Sequence, residues 1–224
     1  MKLNLKALER QQDLINFQSL ATPITIIGAG AVGGTAAFFL SKMGMCNIRL
    51  FDFDEVDMVN MNCQMFGLHN IGQAKVDAIS STVEQWCGNK VEAINKAFEP
   101  SDWHALSGIV LSGADSMKVR KEVFEAWLKS PSATHLIDTR MSIEYLAVYV
   151  ISKDDKKAVA DYTKTLYSDE QAVQERCTLK SVIYTAALAG GWVCKAVKDI
   201  IVTGKPSYFQ CIFNIAKNDC MFFE

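Results

Sequence analysis

The sequence has no large excess of charge of either sign. Its 224 residues carry 23 Lys and Arg against 25 Asp and Glu, which leaves a formal net charge of −2 at pH 7. A chain without a global basic field has no extended surface on which to hold a polyanion. Nucleic acid is therefore not the default partner.

Long apolar runs are also missing. No stretch approaches the roughly 20 apolar residues that a membrane span needs. The segment 1–20 lacks the uninterrupted apolar core of a signal peptide. Its apolar positions are broken by the charged residues Lys2, Lys6, Glu9, Arg10 and Asp13. We expect no membrane partner and a cytoplasmic location.

Cysteine pairs of the CxxC type are absent, although the chain has seven cysteines, which is an odd number. A disulfide framework needs an even set, and a four-cysteine zinc site needs closely spaced pairs. The cysteines therefore predict a reducing compartment and no structural zinc.

Strands and helices alternate through the first two thirds of the chain. Short apolar runs predict strands at 24–27, 47–52, 91–98, 108–112 and 134–137, and amphipathic or small-residue stretches predict helices at 34–43, 71–86 and 116–129. This order is typical of a parallel sheet covered on both faces. We predict a doubly wound, Rossmann-like α/β fold.

The remaining segments extend this core. The pattern of residues 1–22 predicts an amphipathic leading helix, and that of residues 23–140 the alternating α/β core. From residue 141 the pattern predicts an antiparallel extension: a strand at 145–151, a polar irregular stretch at 161–180, a long helix at 181–202 and a closing hairpin at 208–223. The chain has 224 residues, half of which are hydrophobic, and it is therefore expected to form one domain.

A glycine-rich turn opens the first predicted helix, directly after the first strand. Gly28, Gly30 and Gly33 form a G-x-G-x-x-G pattern, in which Gly30 permits close approach of a phosphate and Gly33 permits helix–strand packing. Asp52 ends the next strand, where an acid can take a ribose hydroxyl. These features alone favour a nicotinamide dehydrogenase, and the alternative is a turn used only for packing.

The residues after Asp52 change that interpretation. The string from Phe51 to Asn60 contains D-F-D-x-V, Gln64 follows, and Gly72 to Lys75 reads G-Q-A-K. Together with Ser112 to Ser116 and Arg120, these residues resemble the ThiF/MoeB/HesA family, the bacterial relatives of ubiquitin-activating enzymes. The resemblance covers residues 24–140 and resumes at 177–201.

The resemblance implies ATP and magnesium as ligands. It places Asp52 on the ribose, Lys75 on the phosphates and Asp115 on the magnesium ion. The nucleotide-binding set also includes Asp54, Asn60 and Gln64. In-line attack on the α-phosphate needs a cation and an acid of this kind, both near strand ends. The alternatives are a solvated charge for Lys75, a helix N-cap for Asp115 and a turn residue for Asn60.

Three further positions bear on activity. Cys63 stands where the family usually has an arginine, so a Cys63→Arg substitution is expected to be tolerated and to raise nucleotide affinity. The alternative is a fully desolvated pocket, which an arginine would disrupt. Arg10 and Gln11 resemble the R-Q segment that family members supply to a partner subunit, which implies a homodimer; the alternative for Arg10 is an ordinary exposed helix charge. Cys177 resembles the family's crossover-loop cysteine and is a candidate acyl or sulfur acceptor; the alternative is a buried anchor for the following helix.

We therefore expect ATP-dependent adenylation of a carboxylate. The resemblance implies the C-terminus of a ubiquitin-like or sulfur-carrier protein, or of a peptide, with transfer to a thiol as a further step. The alternatives are an NAD-linked oxidoreductase and a catalytically inactive nucleotide-binding scaffold. Pyrophosphate exchange in the presence of carrier proteins distinguishes the three.

Overall fold

A computed structural model describes residues 5–167 and 181–224. Its centre is an eight-stranded sheet in the order β3-β2-β1-β4-β5-β6-β7-β8. The first five strands in the chain pair in parallel, and the last three add antiparallel strands. The strands are β1 Ile24–Ile27, β2 Ile48–Asp52, β3 Glu92–Asn95, β4 Gly108–Ser112, β5 Ala133–Met141, β6 Tyr145–Ser152, β7 Gln210–Asn214 and β8 Asp219–Phe223. The predicted doubly wound sheet with an antiparallel extension is confirmed.

Helices cover both faces of this sheet. They are α1 Ala31–Lys42, α2 Lys75–Cys87, α3 Met117–Lys129, α4 Lys156–Lys164 and α5 Ile183–Thr203. Because side chains alternate along a strand, Ile26 packs into the core that holds α1, α2 and α5, whereas Ile27 packs into the core that holds α3 and α4. In the described residues, no helix is long and apolar enough to cross a membrane.

Several predicted bounds need correction. The single leading helix is instead two 3-10 helices, Leu5–Gln11 and Phe17–Ala21, because Asn16 starts a new helix by accepting a hydrogen bond from the Gln18 amide at 3.0 Å. Helix α2 starts at Lys75 and not at Ile71, since Gly72 has a φ of 81°. Short 3-10 helices also occupy 58–60, 68–70, 100–105 and 215–217.

The C-terminal third departs from the prediction in two places. The short strand predicted at 134–137 is the nine-residue β5, because its second half pairs with β6 as far as Met141 opposite Leu146. The stretch predicted to be irregular begins inside α4, whose N-cap Asp155 accepts a hydrogen bond from the Ala158 amide at 2.9 Å. Residues 168–180 lie outside the described part of the chain.

The strand order creates a crevice beside β1. The chain leaves β1 towards β2 and β3 on one side and returns to β4 on the other side. In open parallel sheets, ligands bind at such a switch point, outside the carboxyl ends of the strands. The loops after β1 and β4 meet there, since the Gly113 amide donates to the Ile27 carbonyl at 2.8 Å.

Candidate nucleotide site

A cavity of about 370 Å³ lies at the carboxyl ends of the parallel strands. Residues from the loops after β1, β2, β3 and β4 form its walls, together with Thr139 and Met141 of β5. Among the predicted site residues, those that line it are Gly28, Gly30, Asp52, Asp54, Gln64, Lys75 and Asp115. The topology thus collects at one place residues that are up to 87 positions apart in the sequence.

The glycines of the first loop have three different surroundings. Gly28 has a φ of 96°, and a Cβ there would lie 3.0 Å from the Gly113 carbonyl oxygen. A Cβ at Gly33 would lie 1.8 Å from the Gly28 carbonyl oxygen, so α1 can pack against the loop only without a side chain. A Cβ at Gly30 would meet nothing within 4 Å. Gly30 lines the cavity, so its missing side chain leaves room for a ligand to approach the backbone.

Helix α1 presents its N-terminus to the cavity. Its N-cap is Gly30, which offers no side-chain acceptor, and its first turn has no acidic residue. The first amides of a helix have no partner within the helix, and the helix dipole favours negative charge there. Together with the open space at Gly30, this end of α1 fits a phosphate group.

Asp52 joins the glycine loop to the end of β2. One carboxylate oxygen accepts a hydrogen bond from the Ala29 amide at 2.6 Å, and the other accepts from the Asp54 amide at 2.8 Å. Each oxygen of an ionised carboxylate can accept more than one hydrogen bond. Asp52 is thus held rigidly at the cavity wall and retains acceptor capacity for a hydroxyl group.

Lys75 is the first residue of α2 and forms an ion pair across the cavity wall. Its Nζ lies 2.7 Å from a carboxylate oxygen of Asp54, and its amide donates to the Asp54 carbonyl at 2.9 Å. The Lys75 side chain is 9% exposed, whereas that of Asp54 is 49% exposed. The alternative of a solvated first-turn charge does not fit this burial.

The residue that caps α3 is Ser116, and not Asp115. The Ser116 hydroxyl accepts from the Val119 amide at 3.3 Å, while Asp115 is exposed and lines the cavity. In the described residues no three His, Cys, Asp or Glu side chains meet in a metal-binding group. A cation beside Asp115 would therefore take its remaining ligands from phosphate oxygens and water, as magnesium commonly does.

Capping and metal binding can be separated by two substitutions. We expect Ser116→Ala to lower the free energy of unfolding by about 1 kcal/mol, because it removes the cap of α3, and to leave an Asp115 carboxylate in the cavity. We expect Asp115→Asn to leave stability unchanged and to weaken binding of magnesium-ATP. Urea unfolding and calorimetric titration measure the two effects. A stability loss in Asp115→Asn equal to that in Ser116→Ala would contradict this separation.

Two polar residues of the segment after β2 differ in their placement. The Asn60 side chain accepts from the Asp57 amide at 2.9 Å and completes the cap of a 3-10 helix. This placement fits the alternative interpretation of Asn60 as a turn residue. Gln64 lines the cavity, and its side-chain oxygen is buried without a partner among the described residues. A buried acceptor without a donor is costly, so a ligand that donates to it would be stabilised there.

Cys63 is 6% exposed, and its Sγ lies 3.9 Å from the Asn60 carbonyl oxygen. This burial argues against the expected tolerance of an arginine here, because a guanidinium held at a buried position loses its water. We now expect Cys63→Arg to lower the free energy of unfolding by about 2 kcal/mol. Chemical denaturation measures this loss, and Cys63→Ser is the control of similar size. An arginine variant as stable as wild type would show that an arginine is tolerated at position 63.

The two remaining predicted residues lie elsewhere. Arg10 is exposed in the first 3-10 helix and does not belong to the cavity lining as far as the chain is described. Cys177 falls within 168–180, outside the described residues.

Sequence reasoning missed an ion-pair network at the floor of the cavity. Asp138 is fully buried and accepts hydrogen bonds from the guanidinium groups of both Arg120 and Arg140. Arg120 and Thr139 line the cavity. The available signal was the polar triplet that starts at Asp138, since polar residues directly after a buried parallel strand lie at the ligand-binding edge.

The sheet order and the helices on both faces define a Rossmann-like α/β protein. Within this class, the ThiF family model matches residues 5–222, and the chain belongs to that family. The resemblance inferred from the motifs is confirmed.

Curated relatives match over a shorter segment. Ubiquitin-like modifier-activating enzyme 5 of Bombyx mori is 35% identical over 81 residues, which are 36% of this chain and 21% of that protein. The same enzyme of Xenopus laevis is 35% identical over 80 residues, which are 35% of this chain and 20% of that protein. The match thus spans about a fifth of the length of these relatives.

Solved structures share the fold at low sequence identity. A crystal structure of PaaA has a TM-score of 0.74 at 18% identity and covers 98% of this chain and 69% of that chain. E. coli MccB with AMPCPP and MccA has a TM-score of 0.74 at 14% identity, and the match covers 92% of this chain and 64% of that chain. The E. coli tRNA N6-threonylcarbamoyladenosine dehydratase TcdA has a TM-score of 0.68 at 16% identity, covering 89% and 95%.

Proposed function

We propose that this protein uses ATP to adenylate a carboxylate. One observation carries the proposal: a single cavity at the switch point of the sheet combines the open N-terminus of α1 with Lys75 and Asp115. Membership of the ThiF family and the similarity to ubiquitin-like modifier-activating enzymes support the same reaction.

The charges in the cavity favour a nucleotide bound with a divalent cation. In the described part of the lining, three carboxylates, Asp52, Asp54 and Asp115, stand against two cations, Lys75 and Arg120. Both cations are already paired with carboxylates. The cavity is therefore net negative, and a triphosphate entering it needs a cation of its own. Magnesium, held through Asp115, would neutralise phosphate charge and polarise the phosphoryl group.

The protein's contribution to catalysis is mainly positioning and charge stabilisation, since an ionised carboxylate is already a competent nucleophile. The amides at the start of α1 hold the phosphates, and Asp52 orients the ribose. The carboxylate attacks the α-phosphorus, and the bond to the β-phosphate oxygen breaks. Lys75 offsets the charge that develops on the departing pyrophosphate, and the products are an acyl-adenylate and pyrophosphate.

The proposed acyl donor is the C-terminus of a small ubiquitin-like or sulfur-carrier protein, or of a peptide. The names of the relatives support this class, because they include a ubiquitin-like modifier-activating enzyme and MccB crystallised with MccA. We further propose that the protein is a homodimer in which Arg10 of one copy serves the site of the other. Cys177 would be an acceptor of the activated group, and the protein would be cytoplasmic. The six cysteines among the described residues are all free thiols, which fits a reducing compartment.

Exchange of labelled pyrophosphate into ATP tests the reaction. The protein is incubated with magnesium-ATP and carrier proteins or peptides with free C-termini, and an amidated C-terminus is the matched control. Exchange that requires the free carboxylate supports adenylation. Nucleotide binding without exchange for any donor would favour an inactive scaffold, and thermal stabilisation by a nicotinamide cofactor but not by ATP would favour the oxidoreductase.

A further inference from the structure

A series of hydrogen-bonded side chains links the C-terminal end of α4 to the loop that carries Asp115. Thr165, the C-cap of α4, accepts hydrogen bonds from Arg140 through its carbonyl at 3.1 Å and its hydroxyl at 2.8 Å. Arg140 donates to one oxygen of Asp138 at 2.9 Å. The other oxygen of Asp138 accepts from Arg120, and Arg120 donates to the Ala114 carbonyl at 2.5 Å.

The charged side chains of this network are buried together, so one of them cannot move without affecting the others. The Asp138 side chain is fully buried between two guanidinium groups, and those of Arg120 and Arg140 are 8% and 15% exposed. A buried carboxylate that loses one of two partners must reorient or draw the other closer, because an unpaired buried charge is costly. Displacement of Arg140 therefore changes the position of Arg120, although the two guanidinium groups serve different oxygens.

Arg140 is itself held firmly. Its guanidinium carbon lies 4.5 Å from the centre of the Tyr149 ring and 5.7 Å from that of Tyr162. A planar guanidinium uses such stacking together with several directed hydrogen bonds, which an ammonium group cannot reproduce. The geometry suits a side chain that holds its neighbours in place. Arg140 is not among the described residues that line the cavity.

We propose that Arg140 is a positioning residue, which uses Asp138 and Arg120 to hold the Gly113–Asp115 loop in the geometry that the adenylation site needs, with Thr165 as its anchor. The proposal rests on the proposed function for its consequence in catalysis. Its structural part, the coupling of Thr165 to the loop, can be measured without any substrate.

The Thr165 hydroxyl allows the test to be made without burying an unpaired charge. Thr165→Val removes the hydroxyl that accepts from Arg140 and leaves only the Thr165 carbonyl as acceptor there, whereas Thr165→Ser retains both. Thr163→Val is the matched control, because the Thr163 hydroxyl donates to the Val159 carbonyl at 2.8 Å within the same helix and is exposed. Arg140→Lys is a second probe, which keeps the charge and loses the planar fork.

The first readout is hydrogen exchange of the Gly113 amide in the ligand-free protein, followed by NMR, since this amide is bonded to the Ile27 carbonyl. The second readout is the Kd for magnesium-ATP. We expect Thr165→Val to speed exchange and raise the Kd by about threefold to tenfold each, the size that one hydrogen bond carries, with a larger change in Arg140→Lys. Thr165→Ser and Thr163→Val should stay near wild type.

Equal exchange rates of the Gly113 amide in Thr165→Val and Thr163→Val would overturn the proposal. A Thr165→Ser variant whose Gly113 amide exchanges as fast as that of Thr165→Val would also overturn it. If Arg140→Lys does not fold, the three threonine variants decide the matter alone. Failure of the proposed function would appear differently: wild-type protein would not bind magnesium-ATP, while the exchange of Gly113 would still report whether Thr165 is coupled to the loop.

Discussion

Alanine at Gly33 is expected to abolish the nucleotide site and lower the free energy of unfolding by about 3 kcal/mol. The new Cβ would lie 1.8 Å from the Gly28 carbonyl oxygen and 2.9 Å from its carbon, so the loop and α1 would have to separate. Backbone atoms cannot swing aside as the end of a flexible side chain can. Urea unfolding measures the stability loss, and calorimetric titration with magnesium-ATP measures the loss of binding.

Alanine at Gly30 is expected to weaken nucleotide binding at a much smaller cost in stability. Its Cβ would meet no protein atom within 4 Å, and the φ of −74° suits any residue. Stability should fall by no more than about 1 kcal/mol, because alanine is a poorer N-cap than glycine. The Kd for magnesium-ATP should rise about tenfold or more, because the methyl group takes the space where a phosphate approaches the backbone.

Gly191 supplies the control for these two variants. It lies in α5, is exposed, and a Cβ there would also meet nothing within 4 Å. Gly191→Ala should raise stability by about 1 kcal/mol through helix propensity and leave binding unchanged. Nucleotide binding in Gly30→Ala that equals binding in Gly191→Ala would show that phosphate does not approach the loop at Gly30.

Local patterns predicted most of the fold because the sheet is built from short, strongly apolar strands. The bounds of β1 and β4 agree with the sequence prediction, since a glycine, Gly28 or Gly113, directly follows each apolar run. The errors lie where a distant contact decides the outcome. The last four residues of β5 pair with β6, and three of them, Asp138, Thr139 and Arg140, are consecutive polar residues without an alternating pattern by which to recognise a strand.

The candidate site was predictable where a motif stands on one loop. Gly30 and Asp52 were found from their spacing relative to strand and helix starts, and Lys75 from the family resemblance of the G-Q-A-K string; all three line the cavity. The network around Asp138 was missed because its partners come from α3, β5 and the end of α4. Only the folded topology brings these elements together, and the sequence gives no spacing rule for such contacts.

Lys75, paired with Asp54, is expected to matter far more for the rate of reaction than for stability. We expect Lys75→Ala to lower the rate of pyrophosphate exchange by about 10²- to 10³-fold, the range observed when one charge-stabilising group is removed from a transition state. The stability cost should stay below about 1 kcal/mol, because Asp54 is half exposed and water can replace its lost partner. Exchange kinetics and urea unfolding of the same preparation measure both quantities.

Two companion variants make the Lys75 result specific. Asp54→Asn keeps the shape of the side chain but frees Lys75 from its ion pair, so the rate should fall less than in Lys75→Ala if Asp54 only orients the amine. Lys195→Ala removes a lysine that pairs with Asp199 far along α5 and leaves that carboxylate paired with Lys198. It should reproduce the small stability cost without any loss of rate. Equal exchange rates in Lys75→Ala and Lys195→Ala would remove Lys75 from the mechanism, and the offset of pyrophosphate charge would then have to come from the bound cation or from a second copy of the chain.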